Sequence, residues 1–166
     1  MTPSGLAELK RDEGCRLAAY PDPSSPRGKQ LALPAAQRSP GWQTLSADPW
    51  TCGYGCTGEG IDGTTVWTAE EAETALEERI ASVEADLTRR IPWFAHLDPV
   101  RQDVLVNIAF NIGAGGLMKW PKTLGDVKAG NYAKAADEIR QNALWHSQVH
   151  DRSLRVAAAM ETGKWA

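Results

Sequence analysis

The 166-residue sequence contains only three cysteines and three histidines, and it has no long apolar run. Because three is an odd number, Cys15, Cys52 and Cys56 are not expected to form a disulfide framework, and we predict folding in a reducing compartment. Cys52 and Cys56 have the spacing of half a metal site, but there is no second cysteine pair. We therefore expect no metal and no cofactor, and we interpret the thiols as small packing groups.

Neither membranes nor nucleic acids are favoured as partners. No apolar stretch is long enough to span a bilayer, and the opening residues MTPSGLAELKRDEG lack the apolar core of a signal peptide. The formal net charge is −3, which argues against nucleic acid as the main partner. We expect neither nucleic-acid binding nor a stable membrane association.

The first third of the chain predicts one helix followed by irregular structure and a small β-element. The spacing of leucines predicts a helix from about Ser4 to Ala18, with Ser4 as its N-cap. Five prolines within residues 23–49 favour loops and short extended pieces. Alternation with several glycines predicts a strand-like element over residues 50–57. Together with the helices that follow, this pattern predicts an α+β fold.

The rest of the sequence predicts a series of helices. Thr68 and Glu71 form a capping-box pattern ahead of a helix that runs to about Arg90. Residues 99–112 are apolar on most faces, which is typical of a buried helix, and Gly113, Gly115 and Gly116 are expected to end it. Shorter helices are predicted at about 121–129, 131–143 and 151–162.

Two acidic residues near the start of the chain are candidates for glycosidic chemistry. Cleavage of a glycosidic bond needs one carboxyl group that protonates the leaving oxygen and a second that activates water or attacks carbon. Glu13 lies towards the end of the first helix, and Asp22 follows nine residues later. From spacing alone, such a pair is usually two solvated surface groups.

The residues around this pair carry a family resemblance. Two segments closely resemble the active-site region of phage-type lysozymes, the family that includes the lysozyme of the T-even bacteriophages: Leu9-x-x-Asp12-Glu13-Gly14-x-Arg16-Leu17-x-x-Tyr20-x-Asp22 and Trp50-Thr51-x-Gly53-Tyr54-Gly55. Later segments are similar to its central buried helix and C-terminal helix, among them Phe110-Asn111-Ile112-Gly113 and Thr162-Gly163-x-Trp165. The resemblance covers nearly the whole chain except 23–49.

The resemblance implies a catalytic triad and its support. Glu13 would be the general acid, Asp22 the base or electrostatic partner, and Thr51 would help to hold the attacking water, with inversion at the anomeric carbon. The role requires Glu13 to keep its proton near neutral pH, whereas Asp22 must stay ionised. Arg152 matches an arginine that pairs with the catalytic glutamate, so we expect it close to Glu13.

The family also implies substrate contacts at Thr57, Phe110, Asn111 and Thr123. Burial preferences favour a core position for Phe110 over a binding role. Cys56 stands where the family usually has a structural histidine, so a local contact is expected to change while the chemistry is kept. No histidine lies near Cys56 in the sequence to activate it as a nucleophile.

The resemblance implies one lysozyme-like catalytic domain over residues 1–166. Its small lobe would span about 19–67, including an insert at 23–49, and its helical lobe about 91–166 plus the N-terminal helix. The insert carries Arg27, Lys29, Arg38 and Trp42. One interpretation is a solvated excursion; the other is a flap whose cations and tryptophan meet the glycan or its stem peptide.

The expected function is that of an endolysin with muramidase activity. It would hydrolyse the β-1,4 bond between N-acetylmuramic acid and N-acetylglucosamine in peptidoglycan, as a monomer. It would accumulate in the host cytoplasm and reach the periplasm and cell wall after a holin-like protein permeabilises the membrane. The alternatives are a lytic transglycosylase acting on the same bond and a non-catalytic peptidoglycan-binding domain. A zinc amidase would need clustered ligands, which His96, His146 and His150 do not provide.

Overall fold

The computed structural model describes residues 1–165, which are mostly helical with one small antiparallel sheet, so the α+β prediction is confirmed. The chain forms two compact units. The first comprises Met1–Asp12 and the chain from Arg79 onward, and the second comprises Glu13–Glu78. Among the described residues, no helix has the length and apolar character needed to cross a membrane.

Helix α1 spans Pro3–Glu13 and is shorter than predicted. The start predicted at about Ser4 lies within one residue of the observed start, whereas the predicted end at Ala18 and the predicted N-cap are wrong. The Oγ1 of Thr2 accepts a hydrogen bond from the Gly5 amide at 3.0 Å, so Thr2 rather than Ser4 caps the helix. At the other end Gly14 has a φ of +63°, a conformation that suits glycine and stops the helix well before the prolines.

The sheet lies in the second unit and contains three strands in the order β1-β2-β3. Strand β1 (Arg16–Pro21) begins within residues that were predicted to be helical to about Ala18, whereas β2 (Trp50–Gly53) and β3 (Cys56–Thr57) confirm the β-element expected at 50–57. Tyr20 pairs with Thr51 across the antiparallel ladder. The ladder therefore brings the end of β1 beside the start of β2.

The insert is helical where loops and extended pieces were expected. It contains helix α2 (Pro26–Leu31) and two short 3₁₀ turns, at Ala35–Gln37 and Trp42–Thr44. Ser25 caps α2, since its Oγ accepts the Gly28 amide at 2.9 Å, and Pro26 takes the first helical position. The expectation overlooked this Ser-Pro signal because prolines were counted only as helix breakers.

Helix α3 (Ala69–Arg90) begins with the predicted capping box. The Thr68 Oγ1 accepts the Glu71 amide at 3.2 Å, and the Glu71 carboxylate accepts the Thr68 amide at 2.7 Å. Both groups satisfy backbone donors that the first turn of a helix leaves without partners. The start and end predicted for this helix are thus confirmed.

The first unit packs around helix α4 (Pro99–Ile112), which is buried along residues 103–110 as its apolar sequence predicted. Gly113, with a φ of +76°, ends α4, but Gly115 and Gly116 lie inside the following helix α5 (Ala114–Leu117) rather than in a terminating turn. Four helices follow: α6 (Pro121–Lys128), α7 (Tyr132–Gln141), α8 (Ala143–Val149) and α9 (Asp151–Thr162). Helix α8 was not predicted.

The turn between α8 and α9 holds a strained residue. His150 has a φ of +35° and a ψ of −110°, and within residues 1–165 it is the one non-glycine residue with a positive φ. Such a conformation costs about 1–3 kcal/mol for a residue that carries a Cβ. We therefore expect His150→Gly to raise the free energy of unfolding by about 1 kcal/mol, measured by urea denaturation.

The matched control is His96→Gly, at an exposed residue in a 3₁₀ turn (Phe94–His96) with negative φ. There glycine brings only extra freedom to the unfolded chain and should lower stability. Equal effects of the two substitutions would contradict the strain at His150.

Candidate active site

Two of the predicted catalytic residues meet in the second unit. Asp22 directly follows β1, and Thr51 lies on β2 opposite Tyr20. The Thr51 hydroxyl donates a hydrogen bond to Asp22 Oδ2 at 2.7 Å, although the two residues are 29 positions apart. Thr51 is only 2% exposed, and Asp22 is half-buried. The strand pairing therefore places the buried Thr51 hydroxyl against one oxygen of the partly exposed Asp22 carboxylate.

The other oxygen of Asp22 is also hydrogen-bonded. Its Oδ1 accepts from the Ser24 amide at 2.7 Å and from the Ser24 hydroxyl at 2.5 Å. Partial burial raises the pKa of Asp22, but the hydrogen bonds from Ser24 and Thr51 outweigh it and bring the pKa below its ordinary value. Asp22 is consequently ionised at neutral pH.

Glu13 is the last residue of α1 and is half-buried. Glu13 and Asp22 both influence the pKa of the same residue, Tyr20. Burial raises the pKa of the Tyr20 phenol, the Arg16 guanidinium 3.9 Å from the ring centroid opposes that effect, and the carboxylates of Asp22 and Glu13 raise it further. Both predicted carboxyl groups thus lie within electrostatic range of the same phenol.

Arg152 lies on α9 and is buried in the first unit, where helices α1 and α4 supply partners. Its Nε donates to Asn107 Oδ1 on α4 at 2.9 Å, and its Nη2 donates to the Asn107 carbonyl at 3.0 Å. The Asp12 carboxylate of α1 lies 3.4 Å from the Arg152 Nε and also pairs with Arg155. The expected pairing of Arg152 with Glu13 stays a prediction.

Of the predicted substrate contacts in the first unit, Asn111 is exposed, whereas Phe110 and Thr123 are buried. The Asn111 side-chain oxygen accepts from the indole of Trp145 at 2.8 Å, which fixes the amide. The Phe110 ring is 3% exposed and lies under the Arg79 guanidinium, 4.0 Å from its centroid. Phe110 therefore has the core position that burial preferences favoured.

The remaining predicted positions lie on the sheet. Thr57 is exposed on β3 and pairs with Thr51, so it borders the Asp22–Thr51 pair through the ladder. Cys56 is half-buried on the same strand, and Cys52 is fully buried with its thiol 3.1 Å from the Leu17 carbonyl. No group of three or more potential metal ligands is found in residues 1–165.

Two of the three cations in the insert, Arg27 and Arg38, are bound within the insert, whereas Lys29 is exposed. Arg27 donates from Nε to the Leu45 carbonyl at 3.0 Å. Arg38 donates from Nε to the Gln30 carbonyl at 3.1 Å, and its guanidinium lies 5.0 Å from the Trp42 ring centroid. These side chains stabilise the fold of the insert itself, which weakens the interpretation of the insert as a glycan-binding flap.

A sequence profile described as phage lysozyme matches residues 36–155. The chain belongs to the phage lysozyme family. The matched range contains Thr51, Phe110 and Arg152, but it begins after Glu13 and Asp22. The roles assigned to those two carboxyl groups therefore depend on the motif and, for Asp22, also on its hydrogen bonds.

The individual relatives include two proteins that are named as lysozymes. Probable T4-type lysozyme 1 of Dictyostelium discoideum is 28% identical over 100 residues, covering 58% of this chain and 58% of that protein. Probable T4-type lysozyme 2 of the same organism is 36% identical over 70 residues, covering 42% of this chain and 41% of that protein. The pre-baseplate central spike protein Gp5 of Enterobacteria phage T4 is 33% identical over 99 residues, which are 58% of this chain and 17% of that protein. The chain thus spans less than two thirds of the length of each relative.

Sequence reasoning did not identify three residues that surround Asp22, namely Ser24, Ser25 and Gly28. An Asp followed two residues later by Ser is a common side-chain-capped turn, and Ser-Pro is a helix-start signal. These local signals predict a turn and a helix. They do not predict that the helix packs against the catalytic candidate.

The Thr51 hydrogen bond can be tested through the titration of Asp22. Thr51→Val removes one donor to the carboxylate, so the pKa of Asp22 should rise and its deprotonated form should require a higher pH. The lowered pKa contributes stability that is present above the unfolded-state pKa and is lost as pH falls through the folded-state value. In Thr51→Val this contribution should therefore be smaller, and its loss should be complete at a higher pH.

The measurement is the carbon NMR titration of the Asp22 carboxyl group, followed by acid unfolding. Thr64→Val is the control, since Thr64 donates to Asp62 rather than to Asp22. A Thr51→Val protein whose Asp22 titrates as in the wild type would show that the hydroxyl does not govern this carboxylate.

Proposed function

We propose that this chain is a muramidase that hydrolyses the β-1,4 bond between N-acetylmuramic acid and N-acetylglucosamine in peptidoglycan. The observation that carries the proposal is the hydrogen bond from Thr51 to the ionised Asp22 in a member of the phage lysozyme family. A carboxylate and a hydroxyl fixed side by side can orient one water molecule. Hydrolysis of a glycosidic bond needs such a water.

In the proposed reaction Asp22 and Thr51 act on the nucleophile. The Thr51 hydroxyl donates its hydrogen bond to Asp22 Oδ2. The lone pairs of the hydroxyl oxygen therefore remain available to accept a hydrogen bond from water. A water that donates to both side chains directs its own lone pair away from them, towards the anomeric carbon. Asp22 then takes a proton as the water oxygen forms its bond to that carbon.

Glu13 acts on the leaving group in the same step. It donates its proton to the glycosidic oxygen as the carbon–oxygen bond breaks, and a proton then returns from Asp22 to Glu13 through solvent. Because water rather than a carboxylate oxygen attacks, the configuration at the anomeric carbon is inverted. Arg152 is assigned the orientation of Glu13, and the exposed Thr57 and Asn111 are assigned contacts with the glycan, whereas the buried Phe110 and Thr123 are not.

The biological role that we propose is that of an endolysin in host-cell lysis. In this role a monomeric enzyme would depend on a holin-like protein for access to the periplasm. Produced inside Gram-negative cells, the protein should lower the turbidity of the culture only after the inner membrane has been permeabilised with chloroform. Lysis on production alone, without permeabilisation, would contradict a need for a second protein.

Replacing either carboxyl group by an amide should abolish glycan cleavage. Glu13→Gln cannot donate the proton, and Asp22→Asn cannot accept one, so each rate should fall by at least about 100-fold. Release of reducing ends from purified peptidoglycan measures the rate, and thermal unfolding checks the fold. Glu77→Gln, at an exposed position on α3, is the matched control and should cleave normally.

Product analysis separates the proposed reaction from its alternatives. Mass spectrometry should find muropeptides that end in a reducing sugar. Products that end in anhydro-muramic acid would instead identify a lytic transglycosylase, which needs no water-activating Asp22. Binding to peptidoglycan without any product would identify a binding domain.

A further inference from the structure

Asp22 is held almost entirely by the insert. Its amide donates to the Pro49 carbonyl at 2.9 Å, and its carbonyl accepts from the Ser25 amide at 2.9 Å and from the Ser25 hydroxyl at 2.7 Å. Ser24 supplies both donors to Oδ1. Among residues 1–165, Thr51 is thus the one hydrogen-bond donor to Asp22 that lies outside residues 23–49.

Helix α2 is in direct contact with the backbone of Asp22. A Cβ atom built on Gly28 would lie 1.8 Å from the Asp22 carbonyl oxygen, far closer than any real contact. Gly28 is buried inside α2 and has a negative φ, so its backbone conformation does not require glycine. The position requires glycine because the helix and the Asp22 peptide touch.

Ser25 joins the same two elements by hydrogen bonds. Its hydroxyl donates to the Asp22 carbonyl and accepts from the Gly28 amide, and the side chain is 1% exposed. The far end of the insert is tied back as well, since the Arg27 amide donates to the Ser46 carbonyl at 2.9 Å. Helix α2 is therefore anchored at its start and lies against Asp22.

We propose that the insert, residues 23–49, is a positioning scaffold for the Asp22 carboxylate, with Ser25 and Gly28 as the positioning residues. The inference rests on the proposed function, in which Asp22 activates water. Neither Ser25 nor Gly28 is exposed, so neither can touch a glycan. They act through the peptide of Asp22, whose place decides where the carboxylate lies relative to Thr51.

Positioning of this kind affects turnover more than substrate binding. A carboxylate at the end of a strand can swing with its own peptide, and a misplacement of about 1 Å can cost on the order of 100-fold in rate. Contacts on both the amide and the carbonyl of Asp22 restrict that swing. An insert that contacted the glycan would instead change substrate affinity.

The first test is Gly28→Ala. The added methyl group must displace Asp22 or α2, so kcat for reducing-end release should fall by about 10-fold or more while KM stays within about twofold. The carboxyl pKa of Asp22, followed by carbon NMR, should rise because Ser24 and Thr51 no longer meet both oxygens. The matched control is Gly125→Ala in α6, where the new methyl meets no atom within 4 Å. It should leave kcat, KM and the Asp22 titration unchanged.

Ser25→Ala is the second variant, and it decides the question if Gly28→Ala does not fold. Loss of the hydroxyl removes one bond to Asp22 and one to α2, so kcat should fall, again without a change in KM. Ser39→Ala controls for the loss of a serine in the insert, because Ser39 is exposed and bonds to Gln30. Its kcat should equal that of the wild type.

The outcomes separate this inference from the proposed function. If the wild-type protein cleaves no glycan, the proposed function fails and the catalytic meaning of the scaffold fails with it, while the Asp22 titration still reports the positioning itself. If the wild type is active and both variants keep its kcat and its Asp22 titration, the scaffold alone is overturned. A rise in KM at constant kcat would also overturn it and favour a glycan-binding flap.

Discussion

The helical unit depends on a buried positive charge. A guanidinium inside a protein is tolerated only where acceptors surround it, because its removal from water is costly. Arg152 on α9 meets this requirement with Asn107 on α4 and Asp12 on α1. These partners are 45 and 140 positions away in sequence. The last turn of α1 is therefore tied to the core just before Glu13, the residue that our proposal makes the acid.

The second unit meets a different requirement, which is to keep a negative charge partly open to water. Asp22 is half-buried, and short hydrogen bonds from Ser24 and Thr51 lower its pKa despite that burial. The insert that provides most of these bonds contains its own capped helix and uses Arg27 and Arg38 to hold its own carbonyls. The long insert therefore has a structural role, which is to support Asp22, a candidate catalytic residue.

Local signals predicted some elements well and others poorly. The capping box at Thr68 and the apolar residues 99–112 identified α3 and α4, because both patterns are complete within a few turns of helix. The first helix was predicted too long, because leucine spacing continues past Gly14 into a strand that only pairing with β2 stabilises. Helix α2 was missed, because its cap at Ser25 lies in a proline-rich stretch that resembles a loop.

The sequence by itself determined the family, the α+β class and the residue types available for catalysis, since the motifs around Glu13, Asp22 and Thr51 are contiguous strings. Only the tertiary structure decided which groups touch. The bond from Thr51 to Asp22 spans 29 positions, and the glycine at Gly28 is explained by a carbonyl six residues earlier that only the fold brings against it. Such contacts arise only when strands pair and helices pack. A hydrogen-bond partner that packing brings from a distant part of the chain leaves no local pattern in the sequence.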